Sequence, residues 1–257
     1  MLLILLSCTI ADATTTPTTE DTPLEATASP TILDAFPPPS GTVRVAPTDA
    51  FGRWIQTMQL RDEDTPLRAH DGRLLYGHDA WVIDLPMVSG DLQQCADALI
   101  RVRGEWQRTV EAPISFYATS GDPIPWARYA AGEDPYADGN HIRWKPGSDQ
   151  TWEGYLSNVF DWAGTISLRA YETEPVSRGP VPGDILVRSG SPGHAILLMD
   201  VAVRGEDTFI LFAESYMPAQ DFHIERGPVD GGWQWDPEHD MDLRTWVFSA
   251  ADLRRWK

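Results

Sequence analysis

Cys95 and His194 are the two residues of this chain whose types and surroundings could carry covalent chemistry. Cys95 stands in DLQQCADALIRVRGEW and His194 in SPGHAILLMDVA, where one titratable ring heads an apolar run. A thiol is a strong nucleophile only as thiolate, and the exposed N–H groups at a helix N-terminus favour that form. A cysteine hydrolase also needs an imidazole to take the proton and a third group to hold the ring. Glu214 or Gln220, in FAESYMPAQ, could orient the ring, and the amide of Gln93 or Gln94 could stabilise an oxyanion.

Those residues need elements to place them. In SGDLQQCADALIRVRGEWQRTV (89–110), Leu92, Cys95, Leu99, Val102 and Trp106 recur at steps of three and four, the stripe of an amphipathic helix. Asp91 with Gln94 has the form of a capping box and puts Cys95 in or near the first turn. PGDILVRSG (182–190), HAILLMDVAV (194–203) and TFILFAESYM (208–217) read as consecutive antiparallel strands of a buried sheet. Upstream, 48–60 and 151–172 read as helices, with a break marked by Gly164, and 72–77, 80–85 and 112–121 as strands. Residues 122–149 form an aromatic-rich excursion. Helices first and sheet later argues for α+β, with N-terminal helices packed on a mostly antiparallel sheet.

Composition narrows the partners. Asp and Glu outnumber Lys and Arg by 38 to 20, a net charge of −18, which repels nucleic-acid phosphates and anionic membranes. MLLILL is far shorter than the ~20 residues of a membrane-spanning helix. It runs into LLSC, which resembles a bacterial lipobox with Cys8 as the lipid-bearing residue. Residues 9–31 hold nine Thr and no aromatic, too little apolar surface to offset chain entropy. The expected organisation is a lipoprotein signal over 1–8, a Thr/Pro-rich disordered tether over 9–42, and one domain over 43–257. The expected location is the bacterial cell envelope, with a lipid anchor through Cys8. Cys95 is then the sole thiol beside it, the chain having two cysteines.

No cofactor or metal is expected. His70, His78, His141, His223 and His239 sit in loops or turns without ligand spacing, and no glycine-rich phosphate loop is present.

PGDILVRSGSPGHAILLMDV resembles the Pro-Gly-Asp strand, turn and Gly-His strand of NlpC-type cell-wall peptidases, within the papain-like superfamily. That resemblance implies a papain-like arrangement, a catalytic order of Cys95, His194 and Glu214 with Gln94 as oxyanion donor, and a cell-wall peptide or other amide or ester substrate. The chain departs from it in QQCADA, where NlpC-type enzymes carry Asp-Cys-Ser-Gly, and in Glu214, where papain-like proteases carry Asn. DLQQCADALIRVRGEW, AGTISL, SPGHAILLMDVA and ESYMPAQDFHI together resemble a bacterial family of unknown function, domain 4846, over roughly residues 40–257. Its resemblance implies an exported, often lipid-anchored protein. The alternative function is a non-catalytic envelope module on the same fold, gripping glycan or a partner protein through aromatics such as Trp126, Tyr136 and Trp144.

Overall fold

The structure is a computed structural model that describes residues 29–77, 79–148, 150–226, 233–236 and 238–257. The Cys8 lipobox and His78 lie outside them, as does the tether up to residue 28.

The chain folds as α+β around a nine-stranded, wholly antiparallel sheet. Its strands are β1 (Val43–Arg44), β2 (Ala80–Val82), β3 (Thr173–Pro175), β4 (Ile185–Arg188), β5 (His194–Arg204), β6 (Asp207–Glu214), β7 (His223–Glu225), β8 (Trp233–Trp235) and β9 (Leu253–Trp256). Their spatial order is β2-β7-β6-β5-β4-β9-β3, with β1 added to β5 and β8 to β6. The expected apolar runs thus form the centre of the sheet. β5 is buried on both faces, which explains its continuous rather than alternating hydrophobicity. Ala195, Leu197 and Met199 face the larger core, while Ile196 and Leu198 face a second one with Phe248 and Leu253. A bulge where the pairing steps from Leu211–Asp200 to Phe212–Leu198 reverses this alternation, so Val201 joins the second core.

The main helices are α1 (Ile32–Ala35), α2 (Ala50–Ile55), α3 (Cys95–Thr109) and α4 (Trp152–Trp162). α3 packs on β5, and Leu99, Ile100 and Val102 are fully buried in the larger core. Gly104 allows the Trp152 ring close to α3, where a Cβ would stand 3.2 Å from it. The Trp152 indole then donates to Glu105 at 2.8 Å and ties α4 to α3. α4 stops at Trp162, shorter than expected. Gly164 interrupts the chain before a short helix, Thr165–Ser167, and a π-helical turn, Leu168–Glu172.

Two sequence expectations are corrected here. Order begins before residue 43: Thr31 and Asp34 cap α1, and Ile32 and Phe36 lie in the core. Arg44 fastens this segment by donating to Asp200 at 2.7 Å and to the Phe36 carbonyl at 2.5 Å. Residues 72–77 form only a bridge at Leu74 instead of a strand. The excursion contains a regular hairpin, Glu133–Asp138 paired with His141–Pro146. No described helix is long and apolar enough to cross a membrane.

The Asp of the Pro-Gly-Asp run serves the scaffold. Asp184 accepts from the Arg255 Nε and Nη2 at 2.6 and 2.7 Å and from the Val181 N–H at 3.0 Å. It thereby locks the start of β4 to β9, a bidentate pairing of the strong kind.

Candidate active site

Cys95 is the first residue of α3. The capping box stands three residues later than the sequence suggests: Gln94 is the N-cap, and its N–H donates to Asp97 at 3.2 Å. The thiol therefore sits where backbone N–H groups lack intrahelical acceptors. It is 8 % exposed and lines an open cleft of about 300 Å³. Gln94 lines this cleft as well; Gln93 does not. The Gln93 side chain accepts from the Val88 N–H at 3.2 Å and from Arg101 at 2.8 Å, bracing the loop before the helix.

His194 opens β5 and is fully buried. Its Nε2–H donates to Glu214 Oε2 at 2.6 Å. Glu214 ends β6, fully buried, so two adjacent strands deliver ring and carboxylate from rigid backbone. Thr245 Oγ1 donates to the same carboxylate oxygen at 2.9 Å. Gln220, the alternative orienter, instead exchanges backbone hydrogen bonds with the Ser215 hydroxyl. Tyr216, Trp246 and Phe248 surround the imidazole at centroid distances of 5.1, 5.5 and 5.9 Å.

The Cys95 thiol lies beside this ring. Burial is the largest influence on His194 and disfavours its charge, but hydrogen-bonding to Cys95 and Glu214, with their charges, outweighs it. The pKa is raised from 6.5 to about 9. His194 Nδ1 makes no hydrogen bond of regular geometry. With Nε2 held by Glu214, Nδ1 is the ring nitrogen left for the sulfur, and catalytic hydrogen bonds often tighten only when substrate binds. The arrangement can stabilise an imidazolium and pass a proton between sulfur and a bound leaving group.

A second layer lies behind the dyad, and the sequence does not signal it. His223 is on β7, not in a loop, and stands opposite Glu214 in the β6–β7 register. Its Nδ1–H donates to the Asp221 carbonyl at 2.9 Å, and its Nε2 is 3.6 Å from Glu225. Arg244 reaches Glu225 at 3.4 Å. Burial opposes the charge of His223, yet hydrogen-bonding to Glu225 and the field of Glu214 raise its pKa. Among the described residues, Glu214, His223 and Glu225 are the group with metal-compatible donors within 4.8 Å of one another. Their charges are already met by His194 on one side and Arg244 on the other.

Of the aromatics in the excursion, Tyr136 and Trp144 line an open cavity of about 440 Å³ with Arg128 and Arg143, while Trp126 and Tyr129 pack inward. Trp126, Tyr129, Trp152 and Tyr155 stack or cross one another at 5.3–6.0 Å, and the Tyr155 hydroxyl donates to the Ile124 carbonyl at 2.6 Å.

The family model for a domain of unknown function, 4846, matches residues 32–255, nearly the whole described chain. The chain belongs to this family. The match begins at Ile32, the first residue of α1, which agrees with the early onset of order. Cys95, His194, Glu214 and Thr245 all fall inside the 4846 domain. No curated protein and no solved structure gives a significant match.

Proposed function

We propose that this 4846 domain is a thiol hydrolase or transferase acting on an amide or ester bond. The observation that carries this reading is the single ring of His194, bound through Nε2 to buried Glu214 and lying beside the sulfur of Cys95. In the reaction, His194 holds the thiol proton as an imidazolium and the Cys95 sulfur attacks the carbonyl carbon as thiolate. The C–S bond forms, and the carbonyl electrons move onto oxygen facing the first N–H groups of α3 and the Gln94 amide. His194 then protonates the leaving amine or alcohol as it departs. Water or a second nucleophile repeats the sequence to release the acyl group.

The order of thiol on a helix, imidazole on a strand and polar group on the next strand supports a papain-like, NlpC-type arrangement. With LLSC at residues 5–8, it supports an exported envelope enzyme, anchored through Cys8, with peptidoglycan peptides as the substrate class.

The test is alkylation of Cys95 in the native protein by iodoacetamide, read by peptide mass and compared with a free thiol. Wild type should react faster at neutral pH, and His194→Ala should lose the advantage. Equal rates in the two proteins would remove the proposal. Purified peptidoglycan should be cleaved by wild type and left intact by Cys95→Ala.

A further inference from the structure

The hairpin of residues 133–146 builds a second open cavity, about 440 Å³ against about 300 Å³ for the cleft over Cys95, and no residue lines both. Its apolar surface comes from Tyr136, Ile142 and Trp144 on the hairpin and from Pro123 and Pro125. Asp122, Arg128 and Arg143 supply its polar groups, and the fold aims each of them. Asp122 Oδ2 accepts from the Ser120 hydroxyl at 2.8 Å, the Ile142 N–H at 2.9 Å and His141 Nδ1 at 3.0 Å, so Oδ1 is the oxygen left for an incoming donor. Arg128 lies over the Trp144 ring at 4.8 Å and gives Nε and Nη2 to Glu133 Oε2 at 2.8 and 2.7 Å, which leaves Nη1. Arg143 reaches Asp138 at 3.7 Å, longer than a hydrogen bond. Tyr136 stands directly opposite Arg143 in the hairpin register, so an aromatic ring and a donor fork lie side by side. Lys145 approaches that ring at 5.7 Å, and Tyr136 is 37 % exposed.

Charge decides what this cavity can take. Each guanidinium already faces a carboxylate, so little net charge remains to hold an anion, and the chain's net −18 repels polyanions. Asp122 already accepts three donors, so a cation gains little there. A wholly apolar ligand would strip water from these groups and return no hydrogen bond. A neutral, hydroxyl-rich molecule meets both demands. Its hydroxyls donate to Asp122 Oδ1 and accept from the guanidinia, and the C–H face of a sugar ring covers Tyr136. A peptide strand adding to the hairpin edge fits less well, because the Ile142 N–H that would join its ladder is taken by Asp122. A third cavity of about 160 Å³ continues the run toward the thiol. It shares Ile142 with the hairpin cavity, and Trp162 in its wall precedes Ala163 in the wall of the Cys95 cleft. Thr119, Ser120 and Asn140 line it with hydroxyls and an amide. We infer that the hairpin cavity binds a sugar ring of a neutral glycan chain. Resting on the thiol-enzyme reading, that chain extends toward the cleft and carries the amide- or ester-bearing branch to Cys95.

The test is calorimetric titration of the full chain with tetra-N-acetylchitotetraose, a neutral oligosaccharide, and with acetyl-Gly-Ser-Gly-Ser-amide as a neutral peptide. The saccharide should bind, and the peptide should give no heat. Tyr136→Ala and Arg143→Ala should each weaken saccharide binding by about tenfold, the worth of one stacked ring or one good hydrogen bond. Tyr136→Phe, which keeps the ring, should retain most of the affinity. Both side chains are exposed, so melting temperatures equal to wild type will show that the fold is kept. Tyr76→Ala removes an aromatic that is 82 % exposed elsewhere and should leave the affinity unchanged. The inference falls if the saccharide does not bind, if its affinity survives both hairpin substitutions, or if the peptide binds in a manner that needs Tyr136 and Arg143. Cys95→Ala should bind the saccharide as tightly as wild type does. Iodoacetamide with wild type and His194→Ala runs alongside: saccharide binding without histidine-dependent alkylation sinks the enzyme reading alone, and the reverse sinks the glycan site alone.

Discussion

His194 Nε2 lies 2.6 Å from Glu214 Oε2, and neither side chain reaches solvent. A buried ion pair is no guarantee of stability, because desolvation consumes much of the Coulomb gain. Its value here is to fix the tautomer and aim of the ring, leaving Nδ1 for the sulfur.

Glu214→Gln tests that value. Glutamine can still accept the Nε2–H bond, but it removes the charge that raises the basicity of His194. Alkylation of Cys95 at neutral pH should slow by about tenfold, short of the ~10²-fold or more that a positioned base contributes, because His194 itself remains. The alkaline limb of its pH profile should move downward. An unchanged profile would show that Glu214 only packs.

Thr245→Val probes the support behind the carboxylate. It deletes one hydrogen bond to Glu214 Oε2 and leaves the shape similar. Stability should fall by about 1.5–3 kcal/mol, the usual cost of losing a hydrogen bond to a charged acceptor. The Cys95 rate should fall less than in Glu214→Gln. Chemical denaturation and the same alkylation assay give the two numbers.

The pH dependence of stability follows from His194. Its pKa rises from 6.5 to about 9 on folding, so the folded chain holds the proton more tightly. The stabilisation is full below pH 6.5 and is lost as pH climbs through 9. Asp97 acts in the same direction: burial, partly offset by the Gln94 N–H, raises its pKa from 3.8 to about 8. Ionising it therefore costs the folded state stability as pH rises through that interval. Melting temperature should decline from about pH 6 to pH 9, with a shallower slope in Asp97→Asn. The gap between wild type and His194→Ala should narrow as pH rises. A constant gap would contradict the assigned proton.

Much of this site was legible in the chain because its parts ride on strong local patterns. The stripe from Leu92 to Trp106 announced α3, and the apolar run after His194 announced a central strand. The cap register slipped because Asp91 and Asp97 both stand three residues from Gln94, and local chemistry permits either box. Tertiary contact decided it, since Asp91 is used by the distant Ala219 N–H. The early start was hidden because PPPS reads as tether, while the Arg44–Asp200 pair that fixes it spans 156 positions. Thr245, His223 and Glu225 reach the dyad by strand pairing and loop return. No spacing rule links them to Cys95.

Gly193 offers the sharpest test that backbone geometry, and not composition alone, builds the cleft. It immediately precedes His194 and lines the cavity over Cys95. A Cβ there would stand 2.4 Å from Thr165 Oγ1 and 2.8 Å from both the Arg188 carbonyl oxygen and the Gly190 nitrogen. The threonine hydroxyl could rotate away, but the two backbone atoms cannot yield without moving the β4–β5 turn. Gly193→Ala should therefore shift the start of β5 and slow Cys95 alkylation, with a stability loss of about 1–3 kcal/mol, as for other overpacked sites. Thr165→Ala in the same background relieves only the hydroxyl contact, so it should restore little. Full rescue by that second change would place the constraint in the side chain and refute the role given to the turn.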